Sequence, residues 1–137
     1  MREAPVNRIL YVEDDPDIRA VAELALVDVG GFETCLCESG QQALAQIDDF
    51  EPDLVLLDVM MPGMDGPQTL KALQERPGGL AVPAVFMTAR LQPSEVEEYR
   101  AMGAIGVIPK PFDPMTLGDQ IRELVDASAD ANSANLG

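Results

Sequence analysis

The chain reads as an open α/β domain: a five-stranded parallel sheet, doubly wound in the order 2-1-3-4-5, with five helices on its two faces. Two observations lead there. Five short apolar runs recur, Arg8 to Glu13, Phe32 to Cys37, Leu54 to Asp58, Ala84 to Thr88 and Ala104 to Ile108, and the first, third and fourth are nearly continuous. Continuous runs suit strands covered on both faces, as in a parallel sheet. Between the runs lie segments with apolar residues at helical spacing, and short right-handed crossovers leave few other topologies.

The elements follow in order. The first strand closes on the acids Glu13-Asp14-Asp15. Asp15 is expected to cap the first helix, with Pro16 as its opening residue. Ile18, Val21, Ala22, Ala25 and Val29 make one stripe, taken as the inward face, and Gly30-Gly31 stops the helix. After the second strand, Ser39 caps a helix running to Asp49, with Ala43, Leu44 and Ile47 inward. The third strand ends at Asp58 and leads to the turn Met61-Pro62-Gly63-Met64-Asp65-Gly66. Pro67 begins the third helix, which stops before Pro77-Gly78-Gly79. The fourth strand ends at Thr88, and Pro93 or Ser94 begins a helix that ends at Gly103. The fifth strand precedes Lys110. Asp113 caps the last helix, with Pro114 at its first position and Leu117, Ile121, Leu124 and Val125 inward. Ser128 to Gly137 is small, polar and aperiodic. The expected organisation is one domain over residues 1–127 and a flexible C-terminal tail over 128–137.

Composition narrows the function. A chain of 137 residues suits one core. The formal net charge of −15 argues against direct nucleic acid binding, which needs clustered Lys and Arg, and suggests basic partners or metal cations. The absence of histidine excludes a Ser-His-Asp triad, a histidine-ligated zinc and a histidine phosphocarrier. Met1-Arg2-Glu3-Ala4-Pro5 lacks the apolar core of a signal peptide, and no run is long enough to span a membrane. Cys35 and Cys37 share one face of a strand and suit free thiols in a cytoplasmic protein.

The chemistry lies at the ends of the strands. In this strand order the first and third strands are neighbours at the switch point, where ligands bind beyond the carboxyl ends. Glu13, Asp14 and Asp58 all fall there. Two carboxylates about 4 Å apart repel by roughly 4 kcal/mol at an effective dielectric near 20, so a cluster of them calls for a cation. Oxygen donors with room for water favour Mg²⁺. Thr88 brings a hydroxyl and Lys110 an ammonium to the same crevice, which suits phosphoryl transfer to a carboxylate. Singly, these residues have plainer readings: a solvated acidic turn, a turn cap, a strand threonine, a surface lysine. Their joint placement at strand ends favours a site.

Four motifs in order, Ile9-Leu10-Tyr11-Val12-Glu13-Asp14-Asp15-Pro16, Leu57-Asp58-Val59-Met60-Met61-Pro62-Gly63-Met64-Asp65-Gly66, Met87-Thr88-Ala89 and Lys110-Pro111-Phe112, resemble the receiver domain of bacterial two-component response regulators, a flavodoxin-like fold that includes the chemotaxis regulators. The resemblance covers residues from about 7 to 127. It implies that Asp58 accepts a phosphoryl group from a phosphohistidine on a sensor histidine kinase or histidine phosphotransfer protein. It implies that Asp14 and Asp58 bind Mg²⁺ directly, with Glu13 acting mainly through water and the Met60 carbonyl as a further ligand. Thr88, Lys110 and the N–H groups of Val59 and Ala89 would hold the phosphoryl oxygens. The Lys110–Pro111 peptide is expected to be cis, and Met60 and Arg90 to border the path of the attacking water. Output would go to an effector protein or an excised output domain, with a possible homodimer through the face of helix four, strand five and helix five. The family's usual aromatic three residues before the lysine is Val107 here, so the activation signal needs another carrier.

Two other functions compete. A Mg²⁺-dependent aspartyl-phosphate hydrolase would show a second acid two residues after the nucleophile, where this chain has Met60. A phosphorylation-independent interaction module would have lost the acceptor or the acidic pair, and both are present. A dinucleotide-binding domain is excluded, because no Gly-x-Gly-x-x-Gly follows the first strand.

Overall fold

The computed structural model describes residues 6–90 and 92–136, and the backbone alone for 129–136. The leading five residues and Gly137, where the expected domain begins and the expected tail ends, lie outside the described residues. The strands are β1 (Arg8–Val12), β2 (Glu33–Cys37), β3 (Leu54–Asp58), β4 (Ala84–Thr88) and β5 (Ala104–Pro109). They pair in parallel in the order β2-β1-β3-β4-β5, as the sequence predicts. The helices are α1 (Pro16–Glu23), continued by a π-helical turn (Leu24–Val29), then α2 (Gly40–Phe50), α3 (Gly66–Glu75), α4 (Pro93–Ala101) and α5 (Leu117–Leu136).

Alternation along the strands divides the core in two. Ile9, Tyr11, Leu54, Leu56, Val85 and Met87 face α1 and α5, where Ala22, Leu26, Leu117, Ile121 and Val125 cover them. Leu10, Val12, Val55, Leu57 and Phe86 face α2, α3 and α4, against Ala43, Ile47, Leu70, Leu73 and Tyr99. Each fully buried aliphatic side chain contributes about 1.5–3 kcal/mol, and a change such as Leu56→Ala is expected to cost about 2–5 kcal/mol.

The helix starts are set by side chains. Asp15 accepts from the N–H groups of Asp17 (2.8 Å) and Ile18 (3.4 Å), the cap expected of it. Ser39 accepts from Gln42 N–H (3.1 Å) at the head of α2. Asp65 and Gln68 exchange a capping box at the head of α3. Gly66 is required there, because a Cβ would collide with the Asp58 carbonyl and lie 2.9 Å from the Val59 Cα. That close approach seats α3 directly behind the end of β3.

Three expectations need correction. Val21 and Val29 were assigned to the inward stripe of the first helix, yet they are 43% and 41% exposed, while Ala22, Ala25 and Leu26 are fully buried. Val29 lies in the π turn, whose bonds reach one residue further, as from Gly30 N–H to the Ala25 carbonyl (2.9 Å), so a 3.6-residue period cannot be extended to it. Val21 lies before that turn, beside a buried stripe of ordinary i, i+3, i+4 spacing, Ala22, Ala25 and Leu26. Asp113 does not open α5 at Pro114. Its Oδ1 accepts from Met115 N–H (2.9 Å) and its carbonyl from Thr116 and Leu117, forming a turn from which the helix starts at Leu117. Helix α5 then continues to Leu136, through the stretch expected to be a tail. No Gly or Pro interrupts residues 119–136, and each residue added to a nucleated helix gains a backbone bond.

Candidate functional site

The carboxyl ends of β1, β3, β4 and β5 gather Glu13, Asp58, Thr88 and Lys110 at one crevice. Glu13 follows Ile9 and Tyr11 on the α1–α5 side and is fully buried; Asp58 and Thr88 are each 2% exposed. Lys110 Nζ donates to Glu13 Oε1 (2.8 Å) and to Asp58 Oδ1 (2.9 Å). One ammonium thus bridges two buried acids and offsets one of their two charges, which lowers the cost of burying them without cancelling it. Tyr11 Oη donates to the same Glu13 Oε1 (3.1 Å), and Asp15 N–H donates to Oε2 (3.3 Å). Asp14 is less buried and turns toward the crevice mouth, while the Arg19 guanidinium donates to the Glu13 (2.7 Å) and Asp14 (3.0 Å) carbonyls. Arg19 thereby pins the acidic turn to α1.

The electrostatics follow from these contacts. Burial pushes the Asp58 carboxyl up to about 6; Lys110 pulls it down, and the Glu13 charge raises it again. Burial lowers the Lys110 ammonium, but its bonds to Glu13 and Asp58 outweigh that and leave it above its ordinary value. Burial, followed by the Glu13 charge, raises Tyr11, whose phenol stays protonated and donates.

Glu13, Asp14 and Asp58 each present a carboxylate oxygen within 4.8 Å of the others. An all-oxygen set with one member near solvent fits a hard cation that keeps part of its water. Met60 is 70% exposed beside this cluster. Thr88 Oγ1 accepts from Arg90 N–H (3.1 Å), which holds the β4–α4 turn over the crevice, with Ala89 exposed between them. The Lys110–Pro111 peptide is cis.

One expected donor is engaged elsewhere. The Val59 N–H, assigned to the phosphoryl oxygens, donates to the Met87 carbonyl (2.9 Å). The β3–β4 ladder pairs Asp58 with Met87 and simply continues one rung further. Tyr11 and Arg19 were not singled out from the sequence. Tyr11 had a signal: a tyrosine in a doubly covered strand needs a partner for its hydroxyl, and Glu13 lies two residues on, on the same face. Arg19 had none, because a lysine or arginine early in a helix is ordinarily solvated. Cys35 and Cys37 are free thiols with sulfurs 4.0 Å apart on the edge strand β2, and the Cys37 carbonyl accepts from Glu13 N–H (3.0 Å).

The family model for the response regulator receiver domain matches residues 9–122. The DNA-binding response regulator MtrA of Mycolicibacterium smegmatis is 37% identical over 116 residues, covering 85% of this chain and 49% of the relative. The transcriptional regulatory protein CpxR of Klebsiella pneumoniae is 38% identical over 125 residues, covering 90% and 51%. Among solved structures, the chemotaxis protein CheY4 of Vibrio cholerae superposes with a TM-score of 0.79 at 30% identity, covering 87% of this chain and 98% of that one. A CheY-like receiver domain protein of Methanospirillum hungatei gives 0.74 at 28% identity, covering 92% and 98%. The chain belongs to the response regulator receiver domain family. It spans about half the length of the curated relatives it matches. Among the described residues no helix is long and apolar enough to cross a membrane.

Proposed function

We propose that the domain accepts a phosphoryl group on Asp58 and signals by changing conformation. The observation that carries this reading is the Lys110 ammonium held between two buried carboxylates, Glu13 and Asp58, at the mouth of a crevice. In the transfer, an Asp58 carboxylate oxygen forms the new P–O bond as the donor's P–N bond breaks, and the departing imidazole nitrogen keeps the electron pair. Lys110 and the Thr88 hydroxyl sit where they would bear on the phosphoryl oxygens, and the Ala89 N–H belongs to the same turn. The Val59 N–H would first have to leave Met87.

Asp14 and Asp58, with the Met60 carbonyl, would hold Mg²⁺, and Glu13 would act through a water. Bound there, the ion would neutralise the acids and the charge spread over the transferring group. The receiver unit lies within residues 1–127, and its chemistry is self-phosphorylation and self-dephosphorylation rather than turnover of a separate substrate.

A phosphodonor protein needs a surface beside Asp58. An apolar cleft of about 490 Å³ opens next to Lys110, lined by Ile18 and Val21 of α1 and by Pro111 and Phe112. Val21 and Leu24 continue it as exposed apolar surface along the first helix. A helix of a sensor histidine kinase or phosphotransfer protein suits this cleft. On this reading the receiver itself makes no direct nucleic acid contact; the relatives named for DNA binding carry about as much chain again. The cytoplasm, where such donors work, is the proposed location.

Incubation with a small phosphodonor and Mg²⁺ should add one phosphoryl group by intact mass, and Asp58→Asn should abolish it. Equal labelling of the variant would overturn the assignment.

A further inference from the structure

We propose that Tyr11 is a positioning residue for the acidic cluster, fixing the Glu13 carboxylate toward the cation site and setting how Glu13 shares Lys110 with Asp58. This rests on the function proposed above. Tyr11 is fully buried in the middle strand pair, so its hydroxyl has no water to turn to and must keep a protein acceptor. That acceptor is Glu13 Oε1, which also receives Lys110 Nζ. The other Glu13 oxygen is tied to the Asp15 N–H. Three donors from two strands' ends and one turn therefore lock the carboxylate in a single rotamer.

Tyr11 is the side-chain donor of this set that neither the phosphoryl group nor a cation would touch, so it stays on Glu13 if Lys110 turns wholly to Asp58. A carboxylate that must present a lone pair to a water on Mg²⁺ needs that restraint, since the ion tolerates little deviation from octahedral geometry. Partners that orient such carboxylates usually matter about 10–100-fold in metal affinity when removed. Tyr11→Phe removes the donor and keeps the ring that packs with Ile9 and Leu56. The loss should loosen Glu13 without opening a large cavity.

The chain offers a direct probe. It has two tyrosines and no tryptophan, so Tyr99→Phe leaves Tyr11 as the sole emitter. A phenol donating to a carboxylate is a quenched fluorophore. In the metal-free Tyr99→Phe protein, Glu13→Gln should raise the emission, and in the Tyr99→Phe protein Mg²⁺ followed by beryllofluoride should change it as Lys110 leaves Glu13. Tyr11→Phe in the otherwise natural chain should bind Mg²⁺ about tenfold more weakly by calorimetry. Its phosphorylation rate at saturating donor should fall while the half-saturating donor concentration holds. If the natural protein is labelled on Asp58 and Tyr11→Phe matches it in Mg²⁺ affinity, Tyr11 is only core and the inference fails alone. Emission indifferent to Glu13→Gln and to Mg²⁺ overturns it as well, even where Tyr11→Phe does not fold. If the natural protein is not labelled at all, it is the proposed function that fails.

Discussion

The two ends of the sheet treat charge in opposite ways. At the amino end, Asp53 Oδ2 accepts from the N–H groups of Asn7 and Arg8 (2.9 Å each), Arg8 Nε reaches the Phe50 carbonyl (2.9 Å), and Arg76 meets Asp48 (2.6 Å). Each carboxylate there has its own donors and keeps some contact with water. At the carboxyl end, Glu13, Asp58 and Thr88 are three of the four buried polar residues among those described. Glu13 and Asp58 share one ammonium, and Asp58 has no backbone donor to itself in the contacts observed. The amino end uses charge to tie strands and loops together. The carboxyl end concentrates like charge at a buried point and satisfies it incompletely, which is how a fold holds acids ready for a cation or a phosphoryl group.

Lys110→Ala should break this contrast most strongly. It leaves two buried carboxylates facing one another without their cation, a loss of about 3–5 kcal/mol in metal-free buffer. Mg²⁺ should restore much of that, because a ligand bound only by the folded state stabilises it by mass action. Thermal melts with EDTA and with saturating Mg²⁺ test the point. A variant equally unstable in both would make the lysine a structural residue with no special tie to the acids.

Asp58 adds a pH signature. Its carboxyl is raised to about 6 from an ordinary 3.8, chiefly by burial. The folded state therefore holds the proton more tightly than the unfolded state, and this group's contribution is greatest below pH 4. It is lost as pH rises through about 6. Asp58→Asn should then be more stable than the natural protein at neutral pH without metal, by up to about 3 kcal/mol for a two-unit shift. The gap should close by pH 4. A gap independent of pH would mean that the carboxylate is well compensated, as at the other end of the sheet.

How far the sequence reveals this contrast depends on where the deciding contacts come from. The strand ends were legible because β3 and β4 match their apolar runs residue for residue, and a charged or hydroxyl residue closing such a run is conspicuous. The outward turn of Val29 was not, since it depends on a π turn that no local period encodes. The engagement of Val59 with Met87 was also hidden, because it is a relation between two strands rather than a property of either. The same holds for the aromatic readout. Val107 is partly buried beside Phe86 in the ladder, and Tyr99 of α4 meets Phe86 with ring centroids 4.9 Å apart and planes tilted by 53°, so aromatic bulk on that face is supplied from another element.

Asp53→Ala gives the matching test at the amino end. Losing a carboxylate that accepts two backbone N–H groups should cost about 1–2 kcal/mol. The cost should not change with Mg²⁺, and labelling of Asp58 should be unaffected. Weaker Mg²⁺ binding in this variant would show that the two ends are coupled through β1 and β3, contrary to the division drawn above.

The smallest effect concerns how long the carboxyl end keeps its phosphoryl group. Met60 stands two residues beyond Asp58 and is 70% exposed, which leaves its thioether open to solvent at this end of the sheet. Arg90 stands two beyond Thr88 and is exposed, with its N–H fastened to Thr88 Oγ1, which brings the start of its side chain to the same rim. A water attacking phosphorus in line with the Asp58 oxygen must approach past that rim. Two long side chains should exclude it better than short polar ones, which could instead orient it. Met60→Asn with Arg90→Glu should therefore speed loss of phosphate about three- to tenfold, a barrier change of only about 0.7–1.4 kcal/mol. The Met60 carbonyl is retained in this variant, so Mg²⁺ affinity should hold and separates shielding from metal loss. An unchanged or slower rate at equal Mg²⁺ occupancy would show that the guanidinium swings clear into solvent and that the site governs hydrolysis through its buried groups alone.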